Sequence, residues 1–204
     1  MARRAVGVLQ KMPSFRVTPT AAHYNEVLWA CEKGDQYKLA LSVLEEMVQR
    51  GIPLSVNTYE ALISAAEKTD HCAEAIDLFN KMIEEGISGT TFAYNACMMA
   101  HEKMGSHSDA WDLLNRMNEL GIERDVVTYN ACAWAAEKQG DGQLVLLMMK
   151  MMKEEGIEIT TTTFDAAMWA CTKEGSWEMC LKLFDQMEAK GIKKSQGSYN
   201  AAIW

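Results

Sequence analysis

Met117-Asn-Glu-Leu-Gly121-Ile122-Glu-Arg-Asp125-Val126-Val127-Thr128-Tyr129-Asn130 is the stretch that decides the fold. Its first half ends an apolar, helix-like run at a glycine, where the chain can take the left-handed conformation that caps a helix. Its second half opens Thr128-Tyr-Asn-Ala-Cys-Ala-Trp-Ala-Ala-Glu-Lys138, which is rich in alanine and free of proline, so a short helix is expected there. Gln139-Gly140 breaks that helix, and Leu144 to Glu155 carries apolar residues at helical spacing until Gly156.

Working outward, the same pattern returns every 35 residues. An aromatic stands at Tyr24, Tyr59, Tyr94, Tyr129, Phe164 and Tyr199, and a methionine at Met12, Met47, Met82, Met117, Met152 and Met187. Gly-Ile occupies 51–52, 86–87, 121–122, 156–157 and 191–192, and a lysine stands at Lys33, Lys68, Lys103, Lys138 and Lys173. Four columns in one unbroken register define a tandem array. A two-helix unit cannot bury its apolar faces alone, so neighbouring hairpins must stack. The expected fold class is all-α, an α-solenoid (superhelix) of tandem 35-residue helix-turn-helix hairpins.

The register divides the 204 residues into 1–20, 21–55, 56–90, 91–125, 126–160, 161–195 and 196–204. Residues 5–20 align with 40–55, so residues 1–20 read as the second helix of an incomplete repeat or an N-terminal cap. Residues 196–204 read as the first helix of a truncated sixth repeat, and the chain as a segment of a longer array. The basic start (Arg3, Arg4, Lys11 and Arg16, with no acid) therefore belongs to a repeat rather than to a transit peptide.

Composition narrows the function classes. With 49% hydrophobic and 24% charged residues and only 3 Pro, the chain is neither disordered nor collagen-like. No apolar run approaches the roughly 20 residues of a membrane span. The net charge is -8; residues 1–20 carry +4, leaving -12 on the rest. An acidic chain is a poor non-specific nucleic-acid binder, because that affinity comes from cations neutralising phosphates. The six cysteines form no C-x-x-C pair and no Cys/His cluster at zinc spacing, so they read as reduced core residues, with no metal and no cofactor implied. There is no phosphate-cradling glycine loop and no nucleophile-base pairing, so no catalytic residue and no small-molecule substrate is expected.

A 35-residue helical hairpin opening Val-Val-Thr-Tyr-Asn (126–130) and closing Met-x-x-x-Gly-Ile-x-x-Asp (117–125) resembles the pentatricopeptide repeat family over about nine-tenths of the chain. The resemblance implies a non-catalytic module binding single-stranded RNA in a chloroplast or mitochondrion, one nucleotide per repeat. It also implies that the fifth and last residues of each unit read the base: Asn25 with Ser55, Glu60 with Thr90, Asn95 with Asp125, Asn130 with Thr160, and Asp165 with Ser195, with Asn200 in the partial unit. By the family's pattern the third unit resembles a U reader, the first a C reader and the fourth a pyrimidine reader. Glu60/Thr90 and Asp165/Ser195 match no well-established pairing. The second residues are Ala22, Asn57, Phe92, Val127 and Thr162, of which Val127 follows the family's preference.

Helix geometry extends that face. At about 100° per residue, the ninth and twelfth residues fall within about 40° of the fifth. The ninth are Trp29, Ser64, Met99, Trp134, Trp169 and Trp204, an aromatic groove row; the twelfth are Glu32, Glu67, Glu102, Glu137 and Thr172. The flanking lysines, Lys33, Lys68, Lys103, Lys138 and Lys173, suit phosphate contact beside stacking platforms. The Glu row offsets them, and an exposed Trp/Met row equally suits a protein partner in a large organellar assembly, the alternative to RNA.

Overall fold

The computed structural model describes residues 1–204 and contains twelve α-helices and no strand, in agreement with the all-α solenoid expectation. Contacts divide the chain into two compact units, Met1–Ala100 and His101–Trp204.

The first unit holds α1 (Ala2–Lys11), a 3-10 turn (Met12–Phe15), α2 (Ala21–Glu32), α3 (Tyr37–Gln49), α4 (Val56–Lys68), α5 (Cys72–Glu84) and most of α6 (Thr91–Met104). α2 packs against α1, α3 and α4, and α4 packs against α5. Tyr24, Leu28, Met47, Tyr59, Leu62, Phe79 and Met82 are buried between these helices.

The second unit holds α7 (His107–Glu119), α8 (Val126–Gln139), α9 (Gly142–Glu154), α10 (Thr161–Glu174), α11 (Trp177–Ala189) and α12 (Gln196–Ile203). α8, α10 and α12 pack side by side as one layer, and α7, α9 and α11 lie against them as a second. Leu114, Met117, Tyr129, Met152, Phe164 and Met187 fill the space between the layers.

The methionine and Gly-Ile columns turn out to be one device. Gly121 has φ +66°, and the Ile122 N–H turns back to the Met117 carbonyl at 2.9 Å. The same bond joins Ile52 to Met47 at 2.9 Å, Ile87 to Met82 at 3.0 Å, and Ile157 to Met152 and Ile192 to Met187 at 2.8 Å. Each second helix thus ends in a Schellman-type cap that satisfies an orphan carbonyl. Helix α9 starts at Gly142 rather than at Leu144, because the Asp141 carboxylate accepts the Leu144 N–H at 2.9 Å and caps the helix two residues earlier than the apolar spacing suggests. Gly89 has a different reason to lack a side chain: a Cβ there would come within 2.6 Å of the Tyr94 ring.

All six cysteines are buried free thiols. Burial pushes the Cys132 thiol up to about 12, and burial with neighbouring Cys180 and Glu174 pushes Cys171 up to about 11. No helix is long and apolar enough to cross a membrane.

Candidate functional site

The first helix of each hairpin begins at an N-cap that is also the last residue of the preceding 35-residue unit, and this sets the site geometry. Ser55, Asp125 and Ser195 cap α4, α8 and α12 in reciprocal boxes whose partners are Thr58, Thr128 and Ser198. These partners are fully buried, as is Thr163 in α10. The hydroxyls of Thr58, Thr163 and Ser198 face back to the fifth residue of the preceding first helix, whereas that of Thr128 donates to its own cap, Asp125 Oδ1, at 2.9 Å.

At the first pair, the Ser55 N–H donates to Thr58 Oγ1 at 3.1 Å, so the Thr58 proton is directed elsewhere, onto Asn25 Oδ1 at 2.8 Å. That fixes the amide: Asn25 Nδ2 points to Ser55 Oγ at 3.3 Å and keeps a second N–H. At the fourth pair, Thr163 Oγ1 donates to Asn130 Oδ1 at 2.8 Å, while the Thr160 and Thr163 hydroxyls lie 3.2 Å apart. The second pair lacks the third member, because Ala93 stands where the others have a hydroxyl; Thr90 Oγ1 donates directly to Glu60 Oε1. At the fifth pair, Ser195 Oγ donates to Asp165 Oδ2 at 2.5 Å and Ser198 Oγ donates to Asp165 Oδ1. Four of the resemblance-derived pairs are therefore joined, directly or through one buried hydroxyl. Asn95 is buried and Asp125 caps α8, accepting the Thr128 N–H at 2.8 Å. Asn200 is exposed on α12.

The buried Thr/Ser column was not singled out in the sequence, although Thr58, Thr128, Thr163 and Ser198 keep the 35-residue register. Its signal is the pairing of a Ser, Thr or Asp cap with a Ser or Thr three residues on.

The lysines are more engaged than their spacing suggests. Lys68 pairs with Glu32, Lys138 with Glu102 at 2.5 Å and Lys173 with Glu137 at 2.6 Å. Lys138 and Lys173 also donate to the main-chain carbonyls of the same glutamates, at 3.2 and 3.0 Å. Each ammonium thus sits at the negative end of a neighbouring helix. Glu32 also accepts the Ser64 hydroxyl at 3.0 Å. Lys33 is exposed, and Lys103 has a partner of its own.

The aromatic row is partly open. Trp134 is 38% exposed, Trp29 and Trp169 are half-buried, and Trp204 lies exposed beyond α12. Trp29 meets Phe92 edge-on with centroids 5.8 Å apart. Phe92 and Val127, both second residues of their units, are 43% and 49% exposed. No group of three His, Cys, Asp or Glu side chains converges as a metal site.

The pentatricopeptide repeat domain model matches residues 42–104 and 112–174, more than half of the chain. The chain belongs to the pentatricopeptide repeat family. Single-repeat models of the same family match 22–52 and 162–192, and a further one matches 89–134. Among solved pentatricopeptide structures, the chain is similar to PPR10 from maize, with a TM-score of 0.67 and 25% identity over 99% of this chain. It spans 29% of that PPR10 chain. It is also similar in fold to PPR10 in complex with an 18-nt psaJ RNA element (TM-score 0.67, 17% identity, 98% of this chain and 34% of the other). A third similar fold is the PPR domain of Arabidopsis thaliana protein-only RNase P 1 in complex with tRNA (TM-score 0.76, 16% identity, 86% of this chain and 92% of the other). No curated protein sequence matches the chain.

Proposed function

We propose that this chain is a pentatricopeptide RNA-binding module that takes single-stranded RNA, one nucleotide per unit along 21–55, 56–90, 91–125, 126–160 and 161–195. The observation that carries this is the fixed orientation of the fifth residues. A buried threonine hydroxyl occupies Oδ1 of Asn25 and of Asn130, so each amide offers N–H donors. A pre-oriented donor suits the carbonyl acceptors of a pyrimidine, and little rotamer entropy remains to be lost on binding. Family membership and the likeness to PPR10, which has been solved with an RNA element, support the same assignment. The target class is organellar RNA, the compartment typical of the family.

Fluorescence anisotropy with a labelled pyrimidine-containing RNA tests this. Binding is expected to weaken as salt rises, with a shallow slope, because Lys68, Lys138 and Lys173 already pair with glutamates. Lys103→Glu combined with Lys138→Glu is expected to weaken it further. No binding at low salt overturns the proposal.

The same neutralised lysines, with exposed Phe92, Val127 and Trp134, favour a second reading, a protein-docking scaffold without RNA contact. Under it, Trp134→Ala with Trp169→Ala releases a protein partner from a pull-down while helical content is kept.

A further inference from the structure

Resting on the RNA-binding function proposed above, we infer that the second and fifth units select guanine, so that the chain prefers a G-N-N-G element with pyrimidines between the two guanines. The starting observation is a difference within one structural column: in each case a hydroxyl donates to an oxygen of the fifth residue, but the group left over is an amide N–H in two units and a carboxylate oxygen in two others. At Asn25 and Asn130 a threonine hydroxyl takes the amide oxygen and leaves N–H groups to meet a base. At Glu60 the cap hydroxyl of Thr90, and at Asp165 the hydroxyls of both the cap Ser195 and Ser198, donate to a carboxylate instead. A carboxylate has no donor at all, but its two oxygens carry about four acceptor positions. Thr90 occupies one on Glu60, and Ser195 and Ser198 occupy one on each oxygen of Asp165. Glu60 and Asp165 are both partly exposed, and the capacity left on each carboxylate is acceptor only.

The four bases answer that surface differently. Guanine presents two adjacent donors on its Watson–Crick edge, N1–H and the N2 amino group, and a carboxylate can accept both side by side. Uracil presents one N–H between two carbonyl oxygens, which repel the carboxylate. Cytosine and adenine each present an amino group beside an unprotonated ring nitrogen, so one contact is gained and one lone-pair repulsion is incurred. A bidentate charged contact is the stronger and more selective kind. The hydroxyl partners hold the carboxylates in place, so the selection is built into the resting protein rather than formed on binding.

Units two and five are three apart, and at one nucleotide per unit the two guanines are separated by two nucleotides. Of the two intervening units, the fourth carries Asn130, whose oriented amide suits a pyrimidine, and the third carries the Asn95/Asp125 pair, which by family resemblance suits U. G-pyrimidine-pyrimidine-G has the same pattern in either strand direction, so the test does not depend on the polarity of binding.

The experiment compares four labelled single-stranded hexanucleotides, UGUUGU, UUUUUU, UAUUAU and UCUUCU, against the full chain. UGUUGU is expected to bind roughly tenfold or more tighter than each of the others, at the low end of what bidentate base contacts give. Glu60→Gln keeps the size and the acceptor for Thr90, and Asp165→Asn keeps the size and the acceptor for one of its two serine hydroxyls, while each brings back N–H donors. Each is expected to remove one of two differences, that between UGUUGU and UUUUGU or that between UGUUGU and UGUUUU, with the two variants removing different ones whichever way the strand runs. RNA binding in which UUUUUU, UAUUAU or UCUUCU equals or exceeds UGUUGU overturns this inference and leaves the general RNA-binding proposal standing. A guanine preference that survives both substitutions also overturns it. Failure of all four RNAs to bind overturns the inference together with the function it rests on.

Discussion

Thr163 Oγ1 donates to Asn130 Oδ1 at 2.8 Å, linking two first helices through residues 33 positions apart. Thr163 is fully buried, so its hydroxyl has no water to fall back on. The bond does two jobs: it joins α8 to α10, and it decides which face of the Asn130 amide looks outward.

Thr163→Val, which keeps the shape and deletes the hydroxyl, is expected to lower stability by about 1–2 kcal/mol, since Asn130 loses a buried partner. Urea denaturation measures this. If RNA binding depends on the orientation of Asn130, the same variant also loses discrimination at the fourth unit, because the amide is free to turn.

Tyr59→Phe removes the hydroxyl that donates to Glu85 Oε2 at 2.7 Å. Burial and that carboxylate push the Tyr59 phenol well above its ordinary range. The expected loss is about 1 kcal/mol, with the helical circular dichroism unchanged. A loss of several kcal/mol would mean that the ring has shifted as well.

Much of this architecture was legible in the sequence because it repeats. The Tyr, Met and Gly-Ile columns mark residues that every hairpin uses in the same way, such as the cap joining Ile122 to Met117. Partnerships between successive hairpins were less visible. Angular arithmetic along one helix places Lys138 beside a groove, but it does not see that Glu102, 36 residues earlier, comes within 2.5 Å of it. The buried hydroxyls of Thr58 and Thr163 were missed for the same reason: their partners lie in the preceding first helix. Helix α9 began early because Asp141, a polar cap, carries no apolar periodicity.

Lys138→Met removes an ion pair whose lysine is 44% exposed, and the expected stability loss is below about 1 kcal/mol, shrinking further with added salt. Thermal melts at low and high salt check this. The salt slope of RNA binding is expected to change by less than one unit, because this ammonium is already neutralised by Glu102.

Stability is expected to fall at alkaline pH. The Cys132 and Cys171 thiols have folded-state values raised to about 12 and about 11, against an ordinary 9.0. A raised thiol holds its proton more tightly in the folded chain, so its contribution is complete below pH 9 and is lost as pH climbs through 11 and 12. Cys132→Ala is expected to flatten part of that decline in a series of urea titrations from pH 8 to about 11. For the same reason the thiols are expected to resist alkylation at pH 8 until the chain unfolds.

The most direct test of the RNA-binding claim is photocrosslinking of 4-thiouridine-containing RNA to the intact chain, with the adducts located by mass spectrometry. The expected result is adducts on peptides of the first helices, α2, α4, α8 and α10, around the fifth, second and ninth residues: Asn25 and Trp29, Asn130 with Val127 and Trp134. Adducts confined to the second helices α3, α5, α9 and α11, or none at low salt, would contradict it.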